Sequence, residues 1–341
     1  MNETHHSHLR ATAATLVGPG KGILAVDESF ATIGKRFAAL SIPSTEETRR
    51  AYRGLLFNTP QLDEYISGVI LFDETTTQRT ERGESFVSVL IARNIVPGVK
   101  VDGGTIGLPK FPGEKFTGGL DGLRERLVTY RERGLRFTKW RAVFAVGDDL
   151  PTSTAIAVNA RHLALYAALS QEAGLVPIVE PEVLMDGDHA LSRCEEVTEA
   201  VLRAVFAALS EHRVMFDGML LKTGMVVAGT ESSQQADLEE VAAATLRCLR
   251  RSVPTTVPGV VFLSGGQTEV AATERLNAIC QSGAAPWKLS FSFGRALQDA
   301  AMKTWKGSPA NGAFAQAALR HRARCNSLAT QGKYSSSEEQ K

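Results

Sequence analysis

The chain has 341 residues, 43% of them hydrophobic and 22% charged, with a formal net charge of +1. That composition can fill a large core, and it provides neither a global basic field for nucleic acid nor an acidic tail for a basic partner. The cysteines, Cys194, Cys248, Cys280 and Cys325, lie far apart with no C-x-x-C pair, which argues for a reducing compartment and against a disulfide framework or a zinc site.

MNETHHSHLR at the start is polar and has no apolar signal core, and no later run reaches membrane-spanning length. The expectation is a soluble intracellular chain without membrane partners, cytoplasmic or, if a transit peptide has been removed, from a plastid stroma. Residues 1–10 are expected to fray; His5, His6 and His8 would bind metal there only adventitiously. The G-x-G of GPGKG at 18–22 precedes a strand-like run, whereas a dinucleotide fingerprint follows a strand and opens a helix.

Apolar runs then recur, each ending in a residue able to do chemistry. GILAVD ends at Asp27, GVILFD at Asp73, and VPGVKVD carries Lys100 and Asp102. RFTKWRAVFAV carries Lys139 and Arg141, LVPIVEPE carries Glu180 and Glu182, and GMLLKTG carries Lys222. GVVFLSGG leads to Ser264, and WKLSFSFGR ends at Arg295. The segments between are long enough for helices. Helical periodicity is visible over 159–172, 198–209 and 237–250, the last opening in acidic and closing in basic residues. Residues 310–328 predict a final helix outside the rest. The Gly- and Pro-rich stretch 103–119 predicts a long strand-to-helix loop, and GKYSSSEEQK at 332–341 predicts a mobile end. Eight strands alternating with helices predict a single (β/α)8 TIM barrel domain, with a C-terminal helix and a mobile tail, over 1–341. In that fold catalytic side chains stand at the C-terminal ends of several strands.

Alternation along a strand puts Lys139 and Arg141 on one face, and likewise Glu180 and Glu182. A lone strand-end lysine ordinarily reaches solvent. Here Lys100, Lys139, Arg141, Lys222 and Arg295 all come at strand ends, interleaved with Asp27, Glu180 and Glu182, and a closed barrel gathers those ends at one mouth. An amine nucleophile needs its pKa lowered from ~10.4, which desolvation or a neighbouring cation achieves, and a carboxylate pair can move protons. Lys222 with Lys139 and Glu180 therefore reads as Schiff-base machinery. The remaining cations, with the glycines of SGG at 264–266 and of FGR at 293–295, read as two phosphate sites, suited to a substrate phosphorylated at both ends. A catalytic metal is not expected, because His162, His189, His212 and His321 end no strand-like run.

Together GKGILAVDES, GVILFDET, GVKVD, FTKWRAV, GLVPIVEPEVLMDGDH, LLKTGMV, VFLSGGQTE, FSFGRALQ and NSLATQGKY resemble the class I, Schiff-base-forming fructose-1,6-bisphosphate aldolases over roughly residues 9–334. FPGEKFTGGLDGL and FSFGR resemble the plastid and bacterial branch. The resemblance implies reversible cleavage of fructose 1,6-bisphosphate to dihydroxyacetone phosphate and glyceraldehyde 3-phosphate, without a cofactor, in a homotetramer. It implies that Lys222 forms the Schiff base, Lys139 stabilises charge beside it, Glu180 is the main acid/base with Glu182 as neighbour, and Asp27 binds the hydroxyls at the bond being cleaved. It implies that Ser264, Gly265 and Arg295, with Gly266 and Gly294 beside them, hold the phosphate of the ketone half. Lys35, Lys100 and Arg141, with Ser29 and Arg36, would hold the other. An aldolase for sedoheptulose 1,7-bisphosphate or fructose 1-phosphate, and a non-catalytic scaffold, remain alternatives. The chain departs from the family pattern at Thr223–Gly224, where Pro-Asn is usual, at Asp73, where His is usual, and at its end. There the usual terminal tyrosine is missing, so cleavage should be intact while enamine protonation is slow.

Overall fold

The computed structural model describes residues 3–340; Met1, Asn2 and Lys341, which fall in the two ends expected to be disordered, lie outside the described residues. The strands are β1 (Gly22–Val26), β2 (Ile66–Leu71), β3 (Val96–Lys100), β4 (Thr105–Gly107), β5 (Lys115–Thr117), β6 (Phe137–Phe144), β7 (Val176–Val183), β8 (Leu220–Thr223), β9 (Gly259–Phe262) and β10 (Lys288–Phe293). All except β4 and β5 close into one barrel in the order β1-β2-β3-β6-β7-β8-β9-β10, every pair parallel. All eight apolar runs are barrel strands.

Helices follow the strands and cover the barrel. Ser153–Glu172 begins earlier than its apolar periodicity, because the Thr152 hydroxyl caps it by accepting from the Ala155 N–H. Leu238–Ser252 opens on a capping box made by Asp237 and Glu240 and closes on Arg250 and Arg251, which suit the helix dipole.

Apolar side chains fill two compartments. The larger lies between strands and helices and includes Trp140, Tyr166, Phe262 and Phe293. The smaller is the barrel lumen, where Ile23, Ile70, Phe137, Ile178, Leu220 and Val261 meet. The Phe137 ring fits because β3 presents Gly98 to it; a Cβ there would come within 2.4 Å of the ring.

Both chain ends differ from the expectation of disorder. Glu3–Leu16 is a helix whose Leu9, Ala13 and Leu16 are buried against the lumen residues, closing the barrel floor. Fully burying one leucine contributes about 1.5–3 kcal/mol, enough to hold a helix that its polar residues alone would leave frayed. His5 also bonds the Gln171 carbonyl at 2.7 Å. At the other end, Ser336–Gln340 forms a 3₁₀ turn on the last long helix, Gly312–Thr330. Glu338 pairs with Arg324 at 2.6 Å, Glu339 pairs with the buried Arg322, and Tyr334 donates to Glu339 at 2.7 Å. The tail's carboxylates find their cations on another element, which composition does not reveal.

The loop 103–119 is folded as well. β4 and β5 pair antiparallel within it. The Thr117 hydroxyl donates to the Arg141 carbonyl at 2.8 Å, Asn159 bonds both the Thr117 N–H and the Lys115 carbonyl, and buried Glu114 accepts from Thr152. The hairpin is thereby fixed beside the strand that carries Lys139 and Arg141.

Candidate active site

The inward face of four strands changes character near their C-terminal ends. On β6 Phe137 is followed inward by Lys139, on β7 Ile178 by Glu180, on β8 Leu220 by Lys222, and on β1 Ala25 by Asp27. Above the apolar lumen these charged side chains line a cavity of about 860 Å³.

Four of them form a chain. Asp27 lies 3.0 Å from Lys139, Lys139 lies 2.7 Å from one oxygen of Glu180, and the other oxygen of Glu180 lies 3.0 Å from Lys222. Glu180, Lys139 and Lys222 are buried, their side chains at most 5% exposed. Isolated charges at such depth would each cost several kcal/mol; alternation of sign is what makes the cluster tolerable. Burial pushes the Asp27 carboxyl up, but Lys139 and then Lys222 outweigh it and hold the group at about 2. Burial would likewise raise Glu180, and the charges of Lys139, Lys222 and Arg141 override it, so its pKa falls below the usual carboxylate value. Burial would lower Lys139, and Asp27 and Glu180 reverse that, keeping the ammonium protonated. Glu180 therefore rests as a carboxylate touching two lysines, poised to accept a proton before it gives one.

One layer higher, Arg141 pairs with Glu182, and Glu182 overrides the burial that would lower the guanidinium's pKa. Lys100 lies 2.5 Å from Asp102, whose side chain also accepts from the Arg141 N–H at 3.2 Å and the Gly104 N–H at 3.1 Å. Asp102 thus fixes the relative height of two cations and the start of the hairpin loop. Ser29 caps the helix Phe30–Ala38, which brings Lys35 and Arg36 to the rim. Lys35 is exposed, whereas Arg36 is committed to Glu28 and to Asp299, the latter at 2.9 Å. Across the mouth, Ser264, Gly265, Gly294 and Arg295 line the cavity, with Arg295 donating to the Gly265 carbonyl. Gly265 has φ of +54°, a conformation a side chain would strain, so the turn can present its backbone to an anion.

Every residue given a catalytic or phosphate-binding role from the sequence lines this cavity except Gly266, whose N–H points instead to the Met185 sulfur. Ser292 also lines the cavity, with a buried hydroxyl that has no protein partner, and it went unremarked in the sequence. Strand parity marks it, because Ser292 and Gly294 alternate with the core residues Phe291 and Phe293. Asp73 lies outside the cavity, its carboxylate accepting from Tyr130 at 2.8 Å, so it adds no bare charge at the mouth. Tyr334 is also outside it. Among the described residues, His321, Cys325 and Glu339 are the one group with metal-ligand geometry; none of them lines the cavity, and Glu339 is already held by Arg322.

Residues 8–341 match the family model for fructose-bisphosphate aldolase class-I. The chain is 54% identical over 327 residues to a probable fructose-bisphosphate aldolase class 1 of Xanthomonas campestris pv. campestris, covering 96% of this chain and 98% of that one. It is 52% identical over 327 residues to fructose-bisphosphate aldolase 4, cytosolic, of Arabidopsis thaliana, covering 96% and 83%. Its fold is similar to that of fructose-bisphosphate aldolase from Plasmodium falciparum, solved with TRAP and a small-molecule inhibitor. The TM-score is 0.97 at 48% identity, with 98% of this chain and 97% of that one covered.

Proposed function

The chain belongs to the class I fructose-bisphosphate aldolases, metal-independent lyases, and from that premise we propose the residues that carry its reaction. Lys222 attacks carbon 2 of fructose 1,6-bisphosphate. The observation that supports this is Glu180 spanning Lys222 and Lys139 at 3.0 and 2.7 Å on the cavity floor. Glu180 takes one proton from the Lys222 ammonium, the freed amine adds to carbon 2 and its next proton passes to the carbonyl oxygen to give the carbinolamine hydroxyl, and Glu180 then returns its proton to that hydroxyl, which leaves as water. The resulting iminium is the electron sink. The C4 hydroxyl gives its proton to the Asp27–Glu180 side of the cavity, the bond between carbons 3 and 4 breaks, and its electrons form the enamine as glyceraldehyde 3-phosphate departs. Protonation at carbon 3 and hydrolysis release dihydroxyacetone phosphate and restore the amine. Lys139, fixed between two carboxylates, stabilises negative charge developing on the substrate oxygens.

The turn 264–266 with Gly294 and Arg295 holds the phosphate of the ketone half. Lys35, Lys100 and Arg141 hold the far phosphate, with Glu182 orienting Arg141 and Ser29 and Arg36 shaping the rim. No cofactor takes part. The cytosolic name of the Arabidopsis relative and the free cysteines support a cytoplasmic location, and the family resemblance supports a homotetramer.

Tyr334 is engaged by Glu339 outside the cavity, which supports slow enamine protonation. The test is cleavage of fructose 1,6-bisphosphate in EDTA, run beside solvent hydrogen exchange into dihydroxyacetone phosphate. Cleavage should ignore the chelator and exchange should lag behind it. Chelator-sensitive cleavage would refute the metal-free mechanism. Fast exchange that slows sharply when residues 333–341 are deleted would place catalysis in the tail.

A further inference from the structure

We propose that the thioether of Met185 is the resting partner of the Gly266 amide, and that its oxidation to sulfoxide withdraws that amide from phosphate binding. The proposal rests on the phosphate role given above to the turn 264–266.

The Gly266 N–H donates to the Met185 sulfur at 3.1 Å. Both glycines lie against that sulfur, since a Cβ on Gly265 or Gly266 would meet it at 3.4 and 3.3 Å. The contact is held from behind. Met185 follows Glu182 by one short loop, and that loop is tied to 229–231 by Thr230 N–H to the Met185 carbonyl at 2.8 Å, Glu231 N–H to the Gly187 carbonyl at 2.9 Å and Gly229 N–H to the His189 carbonyl at 2.8 Å. The backbone that carries the sulfur is therefore fixed beside the turn.

A thioether is a weak acceptor. A phosphate oxygen is charged, and hydrogen bonds to charged acceptors are roughly twice as strong as neutral ones. Gly266 can consequently exchange sulfur for phosphate at little cost, which explains why a turn built for an anion has one donor turned away from the cavity. Met185 is partly exposed, while Met219, Met225 and Met302 are buried at 0, 4 and 2%. A peroxide reaches Met185 far more readily than those three. In that reaction hydrogen peroxide transfers one oxygen to sulfur, which loses two electrons, and the other oxygen leaves as water. The sulfoxide oxygen is a strong acceptor, and it keeps the Gly266 N–H that a thioether would release. Met185 is a positioning residue, acting on substrate only through the turn.

The full chain treated with hydrogen peroxide should show KM for fructose 1,6-bisphosphate raised about tenfold, the loss of one hydrogen bond to a charged group, with kcat nearly unchanged. Methionine sulfoxide reductase should restore it. Met185→Gln, which carries a strong acceptor permanently, should raise KM without peroxide, and the KM of Met185→Leu should not respond to peroxide. Inorganic phosphate should bind the peroxide-treated chain about tenfold more weakly than the untreated chain, and Met185→Leu should bind it equally before and after peroxide. A KM rise that persists in Met185→Leu, or stoichiometric sulfoxide at Met185 with KM unchanged, would overturn the proposal. If the chain cleaves no bisphosphate, the assigned reaction has failed, and phosphate binding alone decides this inference: equal affinity before and after oxidation of Met185 refutes it.

Discussion

The two ends of the barrel lumen are built from the same strands and the same inward face, yet they hold opposite chemistry. At the floor, Phe137, Ile178 and Leu220 meet Leu9 and Leu16 of the N-terminal helix. Two residues further along, the inward positions are Lys139, Glu180 and Lys222. The floor needs no partners beyond close packing. The mouth holds charge at comparable burial only because each charged atom touches one of opposite sign, from Asp27 through Lys139 and Glu180 to Lys222. On the proposed assignment the floor governs stability and the mouth chemistry, and the two should separate by mutation.

The sharpest break of that comparison is Glu180→Gln. It removes the one group shared by both lysines, and proton transfer by a placed side chain contributes about 10²–10⁴-fold. The expectation is a fall in kcat of that order with KM little changed, measured by steady-state cleavage. A near-normal kcat would hand the acid/base role to Glu182 or Asp27. At the other end, Leu16→Ala should cost about 2–5 kcal/mol in denaturant unfolding, as large-to-small core substitutions do. The folded variant should keep its kcat. A matching loss of kcat would show that floor packing sets the heights of Lys139 and Glu180, and the division would fail.

Much of this arrangement is visible in the sequence because the barrel turns one-dimensional order into a ring. Most of the apolar runs end at the mouth, so residues 195 positions apart, such as Asp27 and Lys222, are legible as neighbours once the fold is recognised. What stays hidden depends on a second element. The helix Glu3–Leu16 looks frayed because its few apolar residues, Leu9, Ala13 and Leu16, gain meaning only from an open lumen to plug. The tail looks mobile because Glu338 and Glu339 find Arg324 and Arg322 one helix away. The hairpin within 103–119 is held by Asn159, Thr152 and the Arg141 carbonyl, none of them local. Ser292 is masked by its apolar neighbours. The sequence puts Gly266 in the same turn as Ser264 and Gly265, but whether its N–H faces the cavity depends on a sulfur from a different loop.

The most direct test of the central claim is chemical trapping. Sodium borohydride added to the full chain with dihydroxyacetone phosphate should abolish activity and leave one reduced triose adduct, mapped by peptide mass to Lys222. An adduct on Lys139 or elsewhere, or full activity after reduction, would contradict the account.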